Sequence, residues 1–222
     1  MDEPDVDRQA HFTALRGLGR INRVSRTAKT LWPSIARIAR CHQGDSVSVL
    51  DIATGGGDVA IALADRAQRE GLALNVEACD ISRTVLHFAT QEAERARASV
   101  RFFRLDALSE APAARYDIVT CTLFLHHLSD ARIVALLKTL AARTNHLLVS
   151  DLLRSRSGYG LAYLGTRLLS ASRIVHVDGM RSVRAALTLA EARTLADEAG
   201  LGDATFKRHW PSRFLMTWDA SS

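Results

Sequence analysis

Cysteine is scarce. The 222 residues contain three, Cys41, Cys79 and Cys121, an odd number with no C-x-x-C spacing. That reads against a disulfide framework and against a zinc site, and points to a reduced, cytoplasmic protein. No H-x-x-x-H and no paired acids suggest a magnesium or zinc ligand set, so no metal is expected. No apolar run approaches the length that crosses a bilayer. The first residues, M-D-E-P-D-V-D, are acidic without an apolar core, unlike a signal peptide. Lys and Arg exceed Asp and Glu by 29 to 24, a net charge of +5, yet no run of four or more basic residues occurs. A solvated Arg-rich surface explains this better than a nucleic-acid tract. Repeats and low-complexity segments are absent as well.

What is present is ample apolar material, 47% of residues, enough to bury the core of one α/β domain with a modest additional element. One stretch organises the rest: Val47–Asp58, V-S-V-L-D-I-A-T-G-G-G-D. Val47 to Ile52 has the composition of a buried strand. Three glycines follow, Gly55, Gly56 and Gly57, and then an Ala-rich run of helical period that Asp58 is positioned to cap. Strand, glycine turn and helix open a nucleotide-binding α/β unit, the glycines allowing a tight turn and the close approach of a ligand.

Two familiar versions of that unit do not fit. The loop is not G-x-G-x-x-G, and no Lys-Ser/Thr pair follows its last glycine, so neither a dinucleotide fingerprint nor a P-loop is present. Instead Asp51 and Asp58 flank the turn, which disfavours an anion and favours a cation. The run resembles the first motif of class I S-adenosylmethionine-dependent methyltransferases, acidic-x-Gly-x-Gly-x-Gly, with Ala53 where the first glycine usually stands. In that family the amino-acid end and sulfonium of the cofactor lie over this loop.

Further along, Leu72–Cys79 alternates as a second strand ending at Asp80, and Ile81-Ser82 opens a helix to about Ala96. An acid some twenty residues beyond the glycines suits the vicinal ribose hydroxyls; its other reading is a helix cap. Val100–Leu105 is a third strand, followed by Asp106-Ala107. The resemblance implies that Asp106 receives the adenine amino group while the Ala107 amide meets a ring nitrogen; a loop Asp also serves simply as a turn-former. Tyr116–Cys121 is a fourth strand that runs into T-L-F-L-H-H-L-S-D, and Thr122–His127 should face the site at its carboxyl end. The N/D-P-P-Y sequence of nucleic-acid amino methyltransferases is absent there. The run L-F-L-H-H-L resembles the small-molecule group that includes ubiquinone and menaquinone biosynthesis methyltransferases.

Ser129–Arg143 reads as a helix and His146–Asp151 as the fifth strand. Thr188 and Glu191 form a capping box, and Ala204–Arg208 with Phe214–Trp218 make a closing hairpin around Pro211. Before the first strand, Ala10–Leu18, Ile21–Leu31 and Ser34–Cys41 read as helices, broken by Gly17, Gly19 and the Trp32-Pro33 pair. They either cover the cofactor or simply pack. Leu152–Val175 is an amphipathic basic insertion, either a lid over the acceptor or the face of a homodimer. The expected fold is a Rossmann-like, seven-stranded, mostly parallel sheet with a C-terminal antiparallel hairpin, N-terminal helices and a helical insertion. It divides into residues 1–44 (helical cap), 45–151 (cofactor core), 152–182 (insertion) and 183–222 (final helix and hairpin).

The implied cofactor is S-adenosyl-L-methionine, held by Asp51, Ala53, Gly55, Gly57, Asp80, Ile81, Asp106, Ala107 and Thr122, with S-adenosyl-L-homocysteine as product. The implied acceptor is a small aromatic hydroxyl or quinone-like molecule, methylated on oxygen or carbon. An RNA or protein methyltransferase and a non-catalytic cofactor-binding protein are the alternatives. A hydroxyl acceptor needs its proton removed, and imidazole has the right pKa for that near neutrality. His176, in the polar segment H-V-D-G, is the first candidate base, with His127 and His126 after the fourth strand as the others. His42 and His209 read as structural.

Overall fold

The computed structural model describes residues 26–155 and 181–220, together with Leu15, Gly17, Gly19 and Gly160. Seven strands form one sheet: β1 (Val47–Ile52), β2 (Leu74–Asp80), β3 (Val100–Arg104), β4 (Tyr116–Thr122), β5 (Thr144–Leu152), β6 (Thr205–His209) and β7 (Arg213–Asp219). Their order is β3-β2-β1-β4-β5-β7-β6. Strands β1 to β5 run parallel, and β7 lies antiparallel to both β5 and β6. The expected sheet is therefore present, with Phe214–Trp218 inside it as the hairpin reading requires; most of the expected helix Ala10–Leu18 and most of the expected insertion lie outside the described residues.

Side-chain alternation divides the core. Val47 and Val49 pack with Leu31, Ile35, Val59 and Leu63, which come from α1 (Thr27–Cys41) and α2 (Asp58–Glu70). Leu50 and Ile52 pack with Ile133, Leu137 and Leu195, from α4 (Asp130–Ala141) and α5 (Leu189–Glu198) on the opposite face. Helix α3 (Arg83–Ala96) follows β2. Burial on both faces explains the nearly unbroken apolar character of β1 and β4. Strand order reverses between β1 and β4, which opens a crevice at their carboxyl ends.

The two sheet edges carry exposed basic side chains, Arg101 and Arg104 on β3, Lys207 and Arg208 on β6. Charge on an edge discourages pairing with another chain. Part of the excess of Arg and Lys thus has a structural use.

Two local expectations are corrected. Helix α1 does not break at Trp32-Pro33 but runs through Pro33. A proline inside a helix costs about 3 kcal/mol. Here the buried Leu31, Trp32 and Ile35 of the same turns offset it by packing against α2 and the sheet. Asp58 does not cap α2. The cap residue is Gly57, in a left-handed conformation, and Asp58 is the first helical residue. There its carboxylate faces the positive end of the helix dipole instead. The capping box of α5 is formed as expected, with the Glu191 amide donating to the Thr188 hydroxyl and the Thr188 amide to the Glu191 carboxylate.

Candidate functional site

The loop after β1 is built around Asp51. Its carboxyl is fully buried, with Oδ2 accepting from the Thr54 hydroxyl at 2.7 Å and Oδ1 from the Thr120 hydroxyl at 2.7 Å. Burial pushes its pKa from an ordinary 3.8 up to about 6; the two threonine hydrogen bonds oppose the shift, and the charges of Asp58 and Asp80 add to it. Asp51 thus acts on the loop through Thr54, pinning β1 to β4 at the point where the chain turns. Sequence reasoning missed Thr54 and Thr120, which carried no signal beyond their position beside a strand-end acid.

Because folding favours the protonated form of Asp51, its contribution to stability is complete below about pH 4 and is lost as the pH rises through about 6. The loss amounts to roughly 3 kcal/mol at most. Asp51→Asn keeps a side chain that both hydroxyls can bond, so its melting temperature should stay level across that window where the wild-type protein declines. Parallel pH profiles of the two would refute the assignment.

Two glycines of the loop do different work. Gly57 has φ +75°, and a Cβ there would stand 3.0 Å from both Ala89 Cβ and the Phe102 ring, so this glycine lets α2 close against α3 and β3. Gly55 has φ +54° and nothing within 4 Å of a would-be Cβ, so its open side can admit a ligand. Ala53 also adopts a positive φ, +52°, in the place where the family pattern has glycine. A left-handed non-glycine residue costs about 1–2 kcal/mol, part of which is regained as lower entropy of the unfolded chain. Ala53→Gly should therefore raise stability by about 1 kcal/mol, read as a melting temperature a few degrees higher. A lower melting temperature would show that alanine is not strained there.

Asp80 joins the second strand to this loop. Its Oδ2 accepts from the Gly55 amide at 3.0 Å and its Oδ1 from the Ser82 amide at 3.0 Å. Ser82, not Asp80, caps α3. Each Asp80 oxygen keeps a second lone pair for a ligand donor. Ile81 beside it is 48% exposed and Leu108 is 40% exposed, two large apolar side chains that follow β2 and β3. Asp106 opens the turn after β3, accepting from the Leu108 amide at 3.1 Å and the Ser109 hydroxyl at 2.8 Å. Those bonds, the Ser109 one foremost, hold its pKa below the usual carboxylate value. Ala107 is half-buried behind it, as is Thr122 at the end of β4. On the other side of the loop Leu15 packs on Val85 and Phe88.

The candidate bases separate clearly. His126 is buried in the short 3-10 turn Leu125–His127. Its Nδ1 lies 2.6 Å from Asp151 Oδ1, and Asp151 is itself buried at the end of β5. Asp151 Oδ2 accepts from the Leu125 amide at 2.7 Å, and Oδ1 from the Leu152 amide at 2.6 Å. Burial alone would raise the Asp151 pKa, but the charge and hydrogen bond of His126 and the two amides outweigh it and hold the carboxyl below its ordinary value. An ionised Asp151 can only accept, so His126 Nδ1 carries a proton, and in the neutral imidazole Nε2 is the nitrogen left to accept one. His127 is exposed, its ring centroid 4.1 Å from that of His126. His176 lies outside the described residues, as do Asp178 and most of the insertion at 152–175.

A glycine turn after the first strand, an acid at the end of the second and a buried polar pair at the end of the fourth and fifth meet at the switch point of a sheet whose last strand pair is antiparallel. The glycine turn and the acid of the second strand stand where the resemblance to class I methyltransferases leads one to expect them. Residues 49–146 match the family model described as a methyltransferase domain. The ubiquinone biosynthesis O-methyltransferase of Leptothrix cholodnii is 30% identical over 122 residues, 54% of this chain and 51% of that one. The demethylmenaquinone methyltransferase of Deinococcus radiodurans is 37% identical over 83 residues, 37% of this chain and 33% of that one. Among solved structures, the magnesium protoporphyrin IX methyltransferase of Synechocystis with bound S-adenosylhomocysteine superposes with a TM-score of 0.62 at 18% identity, over 90% of this chain and 86% of that one. The chain spans about half the length of the curated relatives it matches. These findings support a class I S-adenosylmethionine-dependent methyltransferase, a family whose cofactor is S-adenosyl-L-methionine and whose product is S-adenosyl-L-homocysteine. Among the described residues no group of His, Cys, Asp and Glu could hold a metal ion, and no helix is long and apolar enough to cross a membrane.

Proposed function

We propose that this protein methylates a small aromatic acceptor on a hydroxyl, or on carbon where the acceptor is quinone-like. The observation that carries the reading is the buried His126–Asp151 pair at the carboxyl ends of β4 and β5, beside the loop that suits the cofactor. The residues present fit that cofactor. Gly55 leaves open space over the turn, the Asp80 oxygens can take the two ribose hydroxyls, and the exposed Ile81 and Leu108 offer two apolar surfaces for adenine. Asp106, Ala107 and Thr122 complete the lining, and Asp51 with Ala53 and Gly57 shapes the loop beneath it.

When bound, S-adenosylmethionine supplies an electrophilic methyl group on a sulfonium. The protein's part is to align an acceptor oxygen behind that carbon, since positioning provides most of the acceleration in an in-line displacement. A dry crevice helps further, because the reaction disperses positive charge. As the bond to oxygen forms, the hydroxyl proton passes to Nε2 of His126. Asp151 holds the imidazole in the tautomer that can accept it and stabilises the imidazolium that results. His127 lines the rim, and His176 remains a second candidate.

The test is a screen with labelled S-adenosylmethionine against phenols, hydroquinones and RNA, alongside calorimetry with S-adenosylhomocysteine. Label in phenols or hydroquinones supports the proposal. Label in RNA with a steep salt dependence would replace it. Tighter binding of NAD than of S-adenosylhomocysteine would remove the cofactor assignment altogether.

A further inference from the structure

Three carboxyl groups surround the glycine turn: Asp51 near the end of β1, Asp80 at the end of β2 and Asp58 at the start of α2. Asp58 and Asp80 are partly exposed, whereas Asp51 is fully buried. Among the described residues its hydrogen-bond partners are the hydroxyls of Thr54 and Thr120, and both are neutral donors. A buried carboxyl with neutral partners and two carboxylate neighbours holds its proton unusually well. Its pKa of about 6 agrees, so a modest added field decides its charge. The groups around it do not compete for that proton. Cys79 of β2 and Cys121 of β4 flank β1 at the level of Ile52. Burial pushes both thiols up, Cys79 to about 12. The buried guanidinium of Arg213 interacts with Asp151 and Asp58.

Asp51 touches no open space itself, but its hydrogen-bond partner adjoins some. Thr54 precedes Gly55, and the turn is fixed around it. The Thr54 amide donates to the Cys79 carbonyl at 2.9 Å, and the Gly57 amide to the Thr54 carbonyl at 3.0 Å. Gly55 has nothing within 4 Å of a would-be Cβ, so a ligand over it would stand on the order of 7–10 Å from the Asp51 carboxyl. The two forms of the cofactor differ there by one charge, since the methylated sulfur is a cation and the product's thioether is neutral. With an effective dielectric constant of about 20, one positive charge at that range favours ionised over protonated Asp51 by roughly ten- to fiftyfold.

We infer that Asp51 is the residue by which the site tells S-adenosylmethionine from S-adenosylhomocysteine, losing its proton to solvent when the sulfonium form binds and keeping it when the thioether form does. The inference rests on the proposed cofactor and adds to it a basis for discriminating cofactor from product. By linkage, preference for the cationic form should rise with pH. Calorimetry in two buffers of unlike ionisation heat tests this without any acceptor present. Near pH 6 the wild-type protein should release roughly 0.4 proton more with S-adenosylmethionine than with S-adenosylhomocysteine. The ratio of the two affinities should climb roughly five- to tenfold between about pH 5 and pH 7. Asp51→Asn should abolish the difference in proton release and hold the ratio level. Were Asp51 only a brace for the loop, the variant would weaken both ligands alike and leave the difference in place. Thr120→Val keeps the carboxyl but removes one donor to its charged form, so proton release should peak at a higher pH. Equal proton release with both ligands in the wild type would overturn the inference. So would a difference that persists in Asp51→Asn, or, if that variant does not fold, one whose peak is unmoved in Thr120→Val. Binding of neither ligand by the wild type would instead remove the cofactor reading, and this inference with it.

Discussion

His126→Ala should lower the turnover number by roughly 10²–10⁴-fold, the usual worth of a positioned general base, while S-adenosylhomocysteine binds as before. The expectation follows from the partner of the imidazole. Asp151 is anchored by the amides of Leu125 and Leu152, and its pKa is held low, so it can only accept from Nδ1. Asp151→Asn should therefore produce a loss of similar order with the imidazole still in place. The amide nitrogen of asparagine donates to Nδ1, which forces the ring proton onto Nε2 and leaves nothing basic facing the acceptor. Raising the pH should restore part of the rate in both variants, because a phenolic acceptor then ionises unaided. His127→Ala serves as the comparison, and its exposed side chain should cost little. Near-normal turnover in His126→Ala would move the base elsewhere, with His176 the next residue to test. Normal turnover in all of them would mean that positioning suffices, as for carbon methylation of an acceptor that is already ionised.

The fold was legible because β1, β4 and β5 carry largely apolar runs with β-branched residues, and glycine or an acid stands at or just after the ends of β1, β2 and β3. The order of the sheet could be expected once the glycine turn had placed the switch point. What the residues could not display was the company that side chains keep across the sheet. Asp51 reads from the sequence as a ligand-facing acid, yet it is fully buried between Thr54 and Thr120, and those two hydroxyls are 66 residues apart in the chain (120 − 54). His126 and His127 look alike in L-H-H-L. Only the end of β5, arriving beside β4, gives one of them a buried carboxylate, whereas the side chain of the other is exposed. Pro33 misled for a related reason: the rule that proline breaks helices is local, whereas the packing of Leu31, Trp32 and Ile35 that overrides it is tertiary. The strain at Ala53 was hidden because composition shows a small residue but not its φ.

Asp80→Ala should weaken S-adenosylhomocysteine binding by roughly 10²–10⁴-fold. Two charge-assisted hydrogen bonds to the ribose would be lost at about 1.5–3 kcal/mol each, before compensation by water. The structure adds a second route to the same loss. The Asp80 carboxylate also holds the Gly55 and Ser82 amides, so its removal loosens the turn over which the rest of the cofactor would lie. The two routes can be told apart with partial ligands. If the ribose contact dominates, adenosine should lose most of its affinity in Asp80→Ala while free adenine binds the variant and the wild type alike. If loop support dominates, methionine, which has no ribose, should be weakened as well. Asp80→Asn sharpens the comparison, because its amide oxygen can still accept from one backbone amide but its nitrogen cannot accept from a ribose hydroxyl. Unchanged S-adenosylhomocysteine affinity in both variants would sink the ribose assignment and leave Asp80 as a staple between β2 and the glycine turn.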